Sequence, residues 1–237
     1  MRDVRIAAVG DVHLDESRRG SYRERLHDIG EKADVLLLAG DLTRHGTMDE
    51  ARVVADEFRD LPIPVVAVLG NHDHHSDQPA EIAALLCDTG IEVLHDDATV
   101  LDIDGVRLGV VGGKGFGGGY AGKCASDFGE PEIKAFVGHT RRIADRWRVA
   151  LKELQADHTV VLSHYSPVKD TLAGEPLEIY PFLGSYLLAE AVDAEGADLI
   201  IHGHAHSGTE KGVTPGGIRV RNVALPVLGR AYGVYLL

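Results

Sequence analysis

Polar residues of the kinds that bind divalent metal ions follow several apolar runs of the sequence. Each run ends, usually at glycine or serine, and is followed by aspartate, asparagine or histidine. The segments are Asp11-Val12-His13, Gly40-Asp41, Gly70-Asn71-His72-Asp73, Ser163-His164 and His202-Gly203-His204. Imidazole nitrogens and carboxylate or amide oxygens are ligands of divalent transition metals, and histidine can also move a proton near neutral pH. Alone, each segment is equally compatible with a polar turn, but recurrence of the pattern favours a metal site.

Buried strands and amphipathic helices are predicted to carry these segments. Apolar runs predict strands at residues 4–9, 35–39, 65–69, 98–103, 106–111, 159–162, 199–201, 218–223 and 233–236. Apolar stripes predict helices at residues 16–32, 48–58, 79–89, 131–156 and 183–194. The alternation at the start of the chain predicts a parallel sheet, in which sites form outside the carboxyl ends of the strands. Asp11, Asp41 and Asn71 follow such ends.

A hairpin and a glycine-rich stretch interrupt the alternation. Asp104-Gly105 separates two predicted strands and predicts an antiparallel turn, and residues 209–237 predict further short antiparallel strands. Residues 112–122 read GGKGFGGGYAG but lack the GK[ST] ending of a nucleotide-binding P-loop, so we expect none. Two alternatives are left open for this stretch. It is either a flexible loop over the site, with Lys114, Phe116 and Tyr120 as candidate substrate contacts, or a plain surface loop.

Composition limits the classes of protein that the chain can represent. It has 237 residues, of which 44% are hydrophobic and 26% charged, and no linker divides it. We therefore predict a single globular domain over residues 1–237. The net charge of −13 disfavours a protein that grips a nucleic-acid backbone. A phosphate substrate stays compatible, because two bound divalent cations would supply positive charge where the phosphate binds.

The sequence predicts a cytoplasmic protein. Cys87 and Cys124 are its only cysteines, which suits a reducing compartment without disulfides. The apolar run near the N-terminus is too short for a signal peptide, and no stretch has the apolar length of a membrane span. We expect no membrane partner. The oligomeric state is left open, with a dimer as one option.

The segments together resemble the sequence pattern of one enzyme family. Read in order, they give D-x-H, G-D, G-N-H-D, H and G-H-x-H between Asp11 and His204, which is most of the chain. This string is similar to that of the calcineurin-like metallophosphoesterases. The resemblance implies their fold, an α/β protein built as a four-layer α/β/β/α sandwich of two mixed β-sheets flanked by helices. It also implies two metal ions and hydrolysis of phosphoesters.

The resemblance also implies a role for each residue of the pattern. One metal ion would be bound by Asp11, His13 and His204, and the other by Asn71, His164 and His202, with Asp41 bridging both. Oxygen and nitrogen ligands without thiolate favour Mn, Fe, Zn, Co or Ni over softer ions. A hydroxide between the metals would attack phosphorus. His72 would act as general acid on the leaving group, oriented by Asp73.

Neighbouring residues are expected to contact the substrate and to narrow its class. Arg44, Tyr165 and His206 are the candidate substrate contacts. The forms GDLTRHG, GNHD and GHAH look most like the bacterial cyclic-nucleotide phosphodiesterase-like branch, which predicts a phosphodiesterase on a small substrate. The alternatives are a phosphomonoesterase on a small metabolite, a non-catalytic binding module and a nuclease on the same fold. The acidic composition disfavours the nuclease.

Overall fold

The computed structural model describes residues 3–237, which form thirteen strands and seven α-helices. The strands are β1 (Arg5–Val9), β2 (Val35–Ala39), β3 (Val65–Val68), β4 (Ile91–Val93), β5 (Asp97–Ile103), β6 (Val106–Gly113), β7 (Gly119–Tyr120), β8 (Lys123–Cys124), β9 (His158–Ser163), β10 (Leu199–His202), β11 (Lys211–Val213), β12 (Arg219–Asn222) and β13 (Gly233–Leu236). The helices are α1 (Ile29–Lys32), α2 (Met48–Phe58), α3 (Pro79–Asp88), α4 (Pro131–Glu153), α5 (Tyr180–Leu183), α6 (Tyr186–Glu195) and α7 (Leu225–Leu228).

Two mixed sheets contain eleven of these strands. The first sheet has the order β13-β1-β2-β3-β4 and the second β11-β12-β10-β9-β6-β5, while β7 and β8 form a separate hairpin. Strands β1 to β4 run parallel, as do β6, β9, β10 and β12. The carboxyl ends of the parallel strands in each sheet therefore point the same way. The loops after β1, β2, β3, β9 and β10 carry the polar segments of the sequence.

Apolar residues alternate between the two faces of each sheet and bury three interfaces. Ile6, Leu37 and Val66 of the first sheet belong to the same buried cluster as Val160 and Ile201 of the second, so this cluster lies between the sheets. The opposite face of the first sheet packs on α2 and α3, and that of the second on α4 and α6. The predicted four-layer α/β/β/α sandwich is confirmed.

Two predicted helices are broken in the structure. Residues 16–32 form two 3-10 segments, Glu16–Arg18 and Arg23–Leu26, followed by the short α1. The carboxylate of Glu57 accepts hydrogen bonds from the backbone N–H groups of Tyr22 and Arg23, at 3.0 and 2.5 Å, so these donors cannot join a continuous helix. The prediction for 183–194 misses Gly184, which separates α5 from α6.

The end of the chain is less antiparallel than predicted. β11 and β13 pair antiparallel with β12 and β1, but β12 pairs parallel with β10. The glycine-rich stretch also differs from a plain surface loop, because Gly112 and Gly113 end β6 and Tyr120 is buried in β7. Between residues 3 and 237, none of the helices is both long and apolar enough to cross a membrane.

Candidate metal centre

One group of candidate ligands combines the loops after β1, β2 and β10. Asp11, His13, Asp41 and His206 each place one oxygen or nitrogen within 4.8 Å of those of the others. Both carboxylates are buried, with residue exposures of 2% for Asp11 and 1% for Asp41. Nε2 of His206 donates to Oδ1 of Asp11 over 2.8 Å, a proton that metal binding would displace. Buried acids beside histidines are a setting in which a cation is favourable.

A second group shares Asp41 with the first. Asp41, His164 and His204 place ligand atoms within 4.8 Å of one another. Oδ1 of Asn71 lies 3.0 Å from Nε2 of His164, which adds an amide oxygen to this group. Nε2 of His164 is also 3.3 Å from Oδ1 of Asp41. The carboxylate of Asp41 therefore belongs to both groups, which is what a ligand shared by two ions would require.

Hydrogen bonds to backbone carbonyls orient two of the imidazoles. Nδ1–H of His164 donates to the carbonyl of Ala39 over 2.8 Å, which leaves Nε2 directed at Asp41 and Asn71. Nε2–H of His204 donates to the carbonyl of Phe182 over 3.2 Å, which leaves Nδ1 as the free nitrogen. Metal-binding histidines almost always donate their other ring N–H in this way.

His13 provides the clearest sign that a cation fits here. Its side chain is 19% exposed, but both ring nitrogens are buried, and neither Nδ1 nor Nε2 has a hydrogen-bond partner among residues 3–237. An unpartnered polar atom in a protein interior costs free energy, which a metal–nitrogen bond would recover. Burial lowers the pKa of His13 to about 4 although Asp11 opposes the shift, so the imidazole is neutral near pH 7. Neutral imidazole is the form that binds metals.

The two carboxylates have opposite pKa shifts. Burial raises the pKa of Asp41, since it outweighs the attraction of His164 and is reinforced by the charge of Asp11. Burial also opposes ionisation of Asp11, but the hydrogen bond from His206 and the charges of nearby histidines outweigh it and lower that pKa. Two acids this close together are stabilised as carboxylates by positive charge between them.

Unusual backbone geometry positions these ligands. Asp11, His13, Asp41 and His204 have positive φ angles of 57°, 44°, 52° and 71°. Left-handed conformations are disfavoured for residues other than glycine, and they occur where the surrounding structure compensates for the strain, often at functional sites. A Cβ atom on Gly70 would overlap the carboxylate of Asp41, so only glycine lets the loop after β3 approach this close.

The histidines at the end of β10 and in the loop after it do not match the sequence-based assignment. Both ring nitrogens of His202 bind protein groups, since Nδ1–H donates to the carbonyl of Gly203 over 2.7 Å and Nε2 accepts from the hydroxyl of Thr171 over 2.8 Å. His202 thus lies outside both ligand groups, His204 lies in the second group, and His206 lies in the first. Read from Gly203, the motif G-H-x-H corresponds to Gly203-His204-Ala205-His206. Its two histidines are therefore His204 and His206.

His72 lies at the edge of the first group with one ring nitrogen free. Its Nδ1–H donates to the carbonyl of Arg44 over 2.7 Å, and its Nε2 lies 3.9 Å from Oδ2 of Asp41. The ring centroid is 4.5 Å from that of His13. The side chain is 43% exposed, so Nε2 can reach both the ligand groups and a bound molecule.

Asp73 does not orient the His72 imidazole, contrary to the prediction. Its carboxylate accepts hydrogen bonds from the backbone N–H groups of Leu42, Thr43 and Gly70 at 3.2, 2.8 and 2.8 Å, and from the hydroxyl of Thr43 at 2.6 Å. These bonds connect the loop after β2 to the loop after β3. Asp73 therefore holds together the two loops that present Asp41 and Asn71.

The candidate substrate contacts Arg44 and Tyr165 lie beside different residues of the site. Arg44 pairs with Asp15 over 3.0 Å and, with His72, lines a small cavity of about 120 Å³. Tyr165 lies beside the second group, with its ring centroid 4.4 Å from that of His204. Tyr120, another candidate, is buried and donates its hydroxyl to the carbonyl of Ser166, so it does not face the groups.

Comparisons with known proteins relate the chain to one family. The sequence model of calcineurin-like phosphoesterases matches residues 4–208. A search of curated protein sequences returned no significant match. The fold is similar to that of a phosphopantetheinyl hydrolase from Mycobacterium tuberculosis, with a TM-score of 0.65 and 16% identity over 94% of this chain and 89% of that chain.

Two further solved structures share the fold at low identity. A hypothetical protein from Thermus thermophilus has a TM-score of 0.53 and 20% identity over 92% of this chain and 75% of that chain. GAP50, described as the anchor in the inner membrane complex of Plasmodium, has a TM-score of 0.55 and 13% identity over 95% of this chain and 73% of that chain. At these identities, the structural likeness concerns the fold alone.

Proposed function

The chain belongs to the calcineurin-like phosphoesterase family and is a metal-dependent phosphoester hydrolase, and we propose that it cleaves a small phosphodiester. The observation that carries this proposal is the pair of ligand groups that share Asp41, with Nε2 of His72 at their edge. This arrangement supports a reaction in which phosphorus is attacked beside Asp41 and a proton is delivered from His72.

We assign the ligands of the two ions from their contacts. Asp11, His13, Asp41 and His206 would hold one ion, and Asp41, Asn71, His164 and His204 the other. The donors are nitrogen and oxygen only, which suits Mn, Fe, Zn, Co or Ni. When bound, the ions would supply positive charge that makes the attacking water acidic and stabilises the attacking and leaving oxygens.

His72 is suited to protonate the leaving group. The hydrogen bond from Nδ1 to the Arg44 carbonyl fixes the ring, so a proton on Nε2 points to where the ester oxygen leaves. An alkoxide is an unfavourable product in water, and a proton placed at its oxygen removes that cost. Arg44 lies beside this position and can contact the leaving group or the phosphoryl oxygens.

The preference for a diester rests on the motif forms GDLTRHG, GNHD and GHAH. The small cavity beside His72 accommodates a compact leaving group. A phosphomonoester of a small metabolite is the alternative substrate. The cytoplasmic location and the metal identity stay predictions.

Hydrolysis of two nitrophenyl esters tests the proposal. Metal-stripped protein is supplied with Mn²⁺ and assayed on p-nitrophenyl phosphate and bis-p-nitrophenyl phosphate. We expect faster cleavage of the diester. Faster cleavage of the monoester would overturn the diester preference and indicate a phosphatase. If neither ester is hydrolysed while metal ions are bound, the result would contradict the proposed activity and favour a binding module. Salt-sensitive DNA binding would instead favour a nuclease.

A further inference from the structure

Lys114 is a cation fixed next to the second ligand group. It follows β6 directly, and its carbonyl accepts hydrogen bonds from the backbone N–H groups of His164 and Tyr165 at 3.1 and 3.0 Å. Gly115 then turns the chain with a φ of 72°, and a Cβ atom there would lie 2.9 Å from the hydroxyl of Ser163. The backbone of Lys114 is therefore held firmly against the end of β9 and the residues that follow it.

The ammonium group of Lys114 lies over two aromatic rings on the His204 side of the centre. Nζ is 5.0 Å from the ring centroid of Phe116 and 5.2 Å from that of Tyr165. The ring of Tyr165 in turn packs against the rings of His204 and His164, with centroids 4.4 and 5.6 Å apart. Lys114 and the second ligand group thus contact the same tyrosine.

Lys114 has no carboxylate partner in the part of the chain that the structure describes. The carboxylates whose charges act on it are Asp96 and Asp41. Asp96 is already bound by the guanidinium of Arg146 and by Nε1 of Trp147, and Asp41 is shared by the two ligand groups. The side chain of Lys114 is half-buried. A half-buried ammonium without a counter-charge is stabilised when an anion binds it.

His72 and Lys114 lie next to different ligand groups. His72 is beside His13 of the first group, while Lys114 is beside Tyr165 and His204 of the second. A phosphorus atom between the two groups would therefore direct its leaving oxygen to His72 and its retained substituent towards Lys114.

We propose that Lys114 binds a second anionic group of the substrate, a phosphate or a carboxylate, on the part retained after cleavage. This inference rests on the proposed function and narrows its substrate class to esters with one further negative charge near the scissile phosphorus. The aromatic rings below the ammonium fix its direction and exclude water, which strengthens a charge-assisted hydrogen bond.

Inhibitors with one or two anionic groups test the inference. Methylphosphonate, phosphonoacetate and methylenediphosphonate are compared as competitive inhibitors of bis-p-nitrophenyl phosphate hydrolysis, with Mn²⁺ in excess. Their dissociation constants are also measured by calorimetry on the Mn²⁺-loaded protein. In the wild type, we expect the two-anion compounds to bind at least about tenfold more tightly than methylphosphonate. The carboxylate and diphosphonate compounds distinguish the two kinds of second anion.

Substitutions of Lys114 identify its contribution. Lys114→Met, which keeps the apolar stem, should weaken the two-anion compounds by about tenfold and methylphosphonate by less than about twofold, since one charge-assisted contact is lost. Lys114→Arg should restore part of this difference. Lys134→Met, an exposed lysine on α4, is the matched control and should change none of the constants. Circular dichroism and the melting temperature check that each variant is folded.

Three results would overturn the inference. If Lys114→Met weakens the binding of all three compounds equally, the lysine contacts the scissile phosphoryl group itself. If the substitution weakens the binding of none of them, Lys114 has only a packing role. Two-anion compounds that bind the wild type no better than methylphosphonate would also contradict it. Failure of the proposed function is a separate result, because absence of ester hydrolysis by the wild type leaves the calorimetric comparison intact.

Discussion

The backbone N–H of His72 donates a 2.8 Å hydrogen bond to Oδ1 of Asp41, and Nε2 of the same histidine lies 3.9 Å from Oδ2. The carboxylate shared by both ligand groups therefore also fixes the residue proposed as general acid. Movement of Asp41 would displace His72, so we expect metal binding and proton delivery to be coupled through this side chain. This coupling suggests distinct outcomes for substitutions at the two residues.

Removal of the His72 imidazole should slow catalysis without releasing metal. We expect His72→Ala to lower kcat by roughly 10²–10⁴-fold on diesters with alkyl leaving groups, since these need a proton. The loss should be smaller with p-nitrophenol, a good leaving group. Steady-state kinetics and elemental analysis measure both effects, with the exposed His27→Ala as control. Equal losses on good and poor leaving groups would refute the acid role.

Substitution of His206 and of His202 should have different effects on metal content. His206→Ala removes a ligand of the first group, so we expect loss of about one metal ion per chain. His202→Gln should keep both ions but lower the free energy of unfolding by about 1–3 kcal/mol, because the buried bonds to Thr171 and Gly203 are disturbed. Elemental analysis and urea unfolding separate the two cases. The opposite pattern would restore His202 as a ligand.

Asp73→Asn tests whether Asp73 connects the loops or orients His72. The amide has one oxygen where the carboxylate has two, so some of the donors on Leu42, Thr43 and Gly70 lose their partner. We expect the free energy of unfolding to fall by about 1–3 kcal/mol. The pH–rate profile should keep its shape, since the imidazole is held by Arg44. A displaced limb of that profile would indicate that Asp73 acts on His72.

Glu50 should stabilise the start of α2 in a pH-dependent way. It forms a capping box with Thr47, and its carboxylate also accepts from the backbone N–H and the imidazole of His45 at 2.7 and 2.8 Å. Burial alone would raise the pKa of Glu50, but these hydrogen bonds outweigh it and hold the pKa below its usual value. The folded state thus binds fewer protons than the unfolded state, and the stabilisation is present above the unfolded pKa of about 4.5 and is lost as pH falls.

Glu50→Gln measures this contribution. At pH 7, we expect the free energy of unfolding to fall by about 1–2 kcal/mol, with the difference from the wild type shrinking as the pH falls below about 4.5. Urea unfolding of both proteins at matched metal concentration checks it, and the exposed Glu153→Gln is the control. A difference that grows towards acid pH would contradict the assigned sign.

The sequence predicted the parts of the fold that depend on local pattern. The bounds of β2 and α2 match the predicted ranges because a buried run and a capping box define them locally. The bounds of β13 match as well. The prediction of one helix over residues 16–32 was wrong because the carboxylate of Glu57, far along the chain, accepts hydrogen bonds from backbone N–H groups of this stretch. No periodicity in that stretch could reveal a partner from α2.

The sequence predicted the type of candidate site but not which of the neighbouring histidines belong to it. Aspartate, asparagine and histidine at strand ends were sufficient to predict a metal centre. Three histidines alternate along the chain from the end of β10, and only the hydrogen bonds of His202 with Thr171 and Gly203 distinguish it from the other two. The role of Asp73 depends on hydrogen-bond donors in another loop. Its sequence position next to His72 gave no indication of these donors.

Metal binding by wild type and Asp41→Asn is the most direct test of the account. Both proteins are stripped with chelator, dialysed against Mn²⁺, and analysed for bound metal per chain alongside hydrolysis of bis-p-nitrophenyl phosphate. Since both ligand groups contain Asp41, we predict two Mn²⁺ ions per wild-type chain, and weaker binding at both sites with loss of hydrolysis in Asp41→Asn. Retention of two tightly bound ions by Asp41→Asn, or a single ion in active wild type, would contradict a shared dinuclear centre.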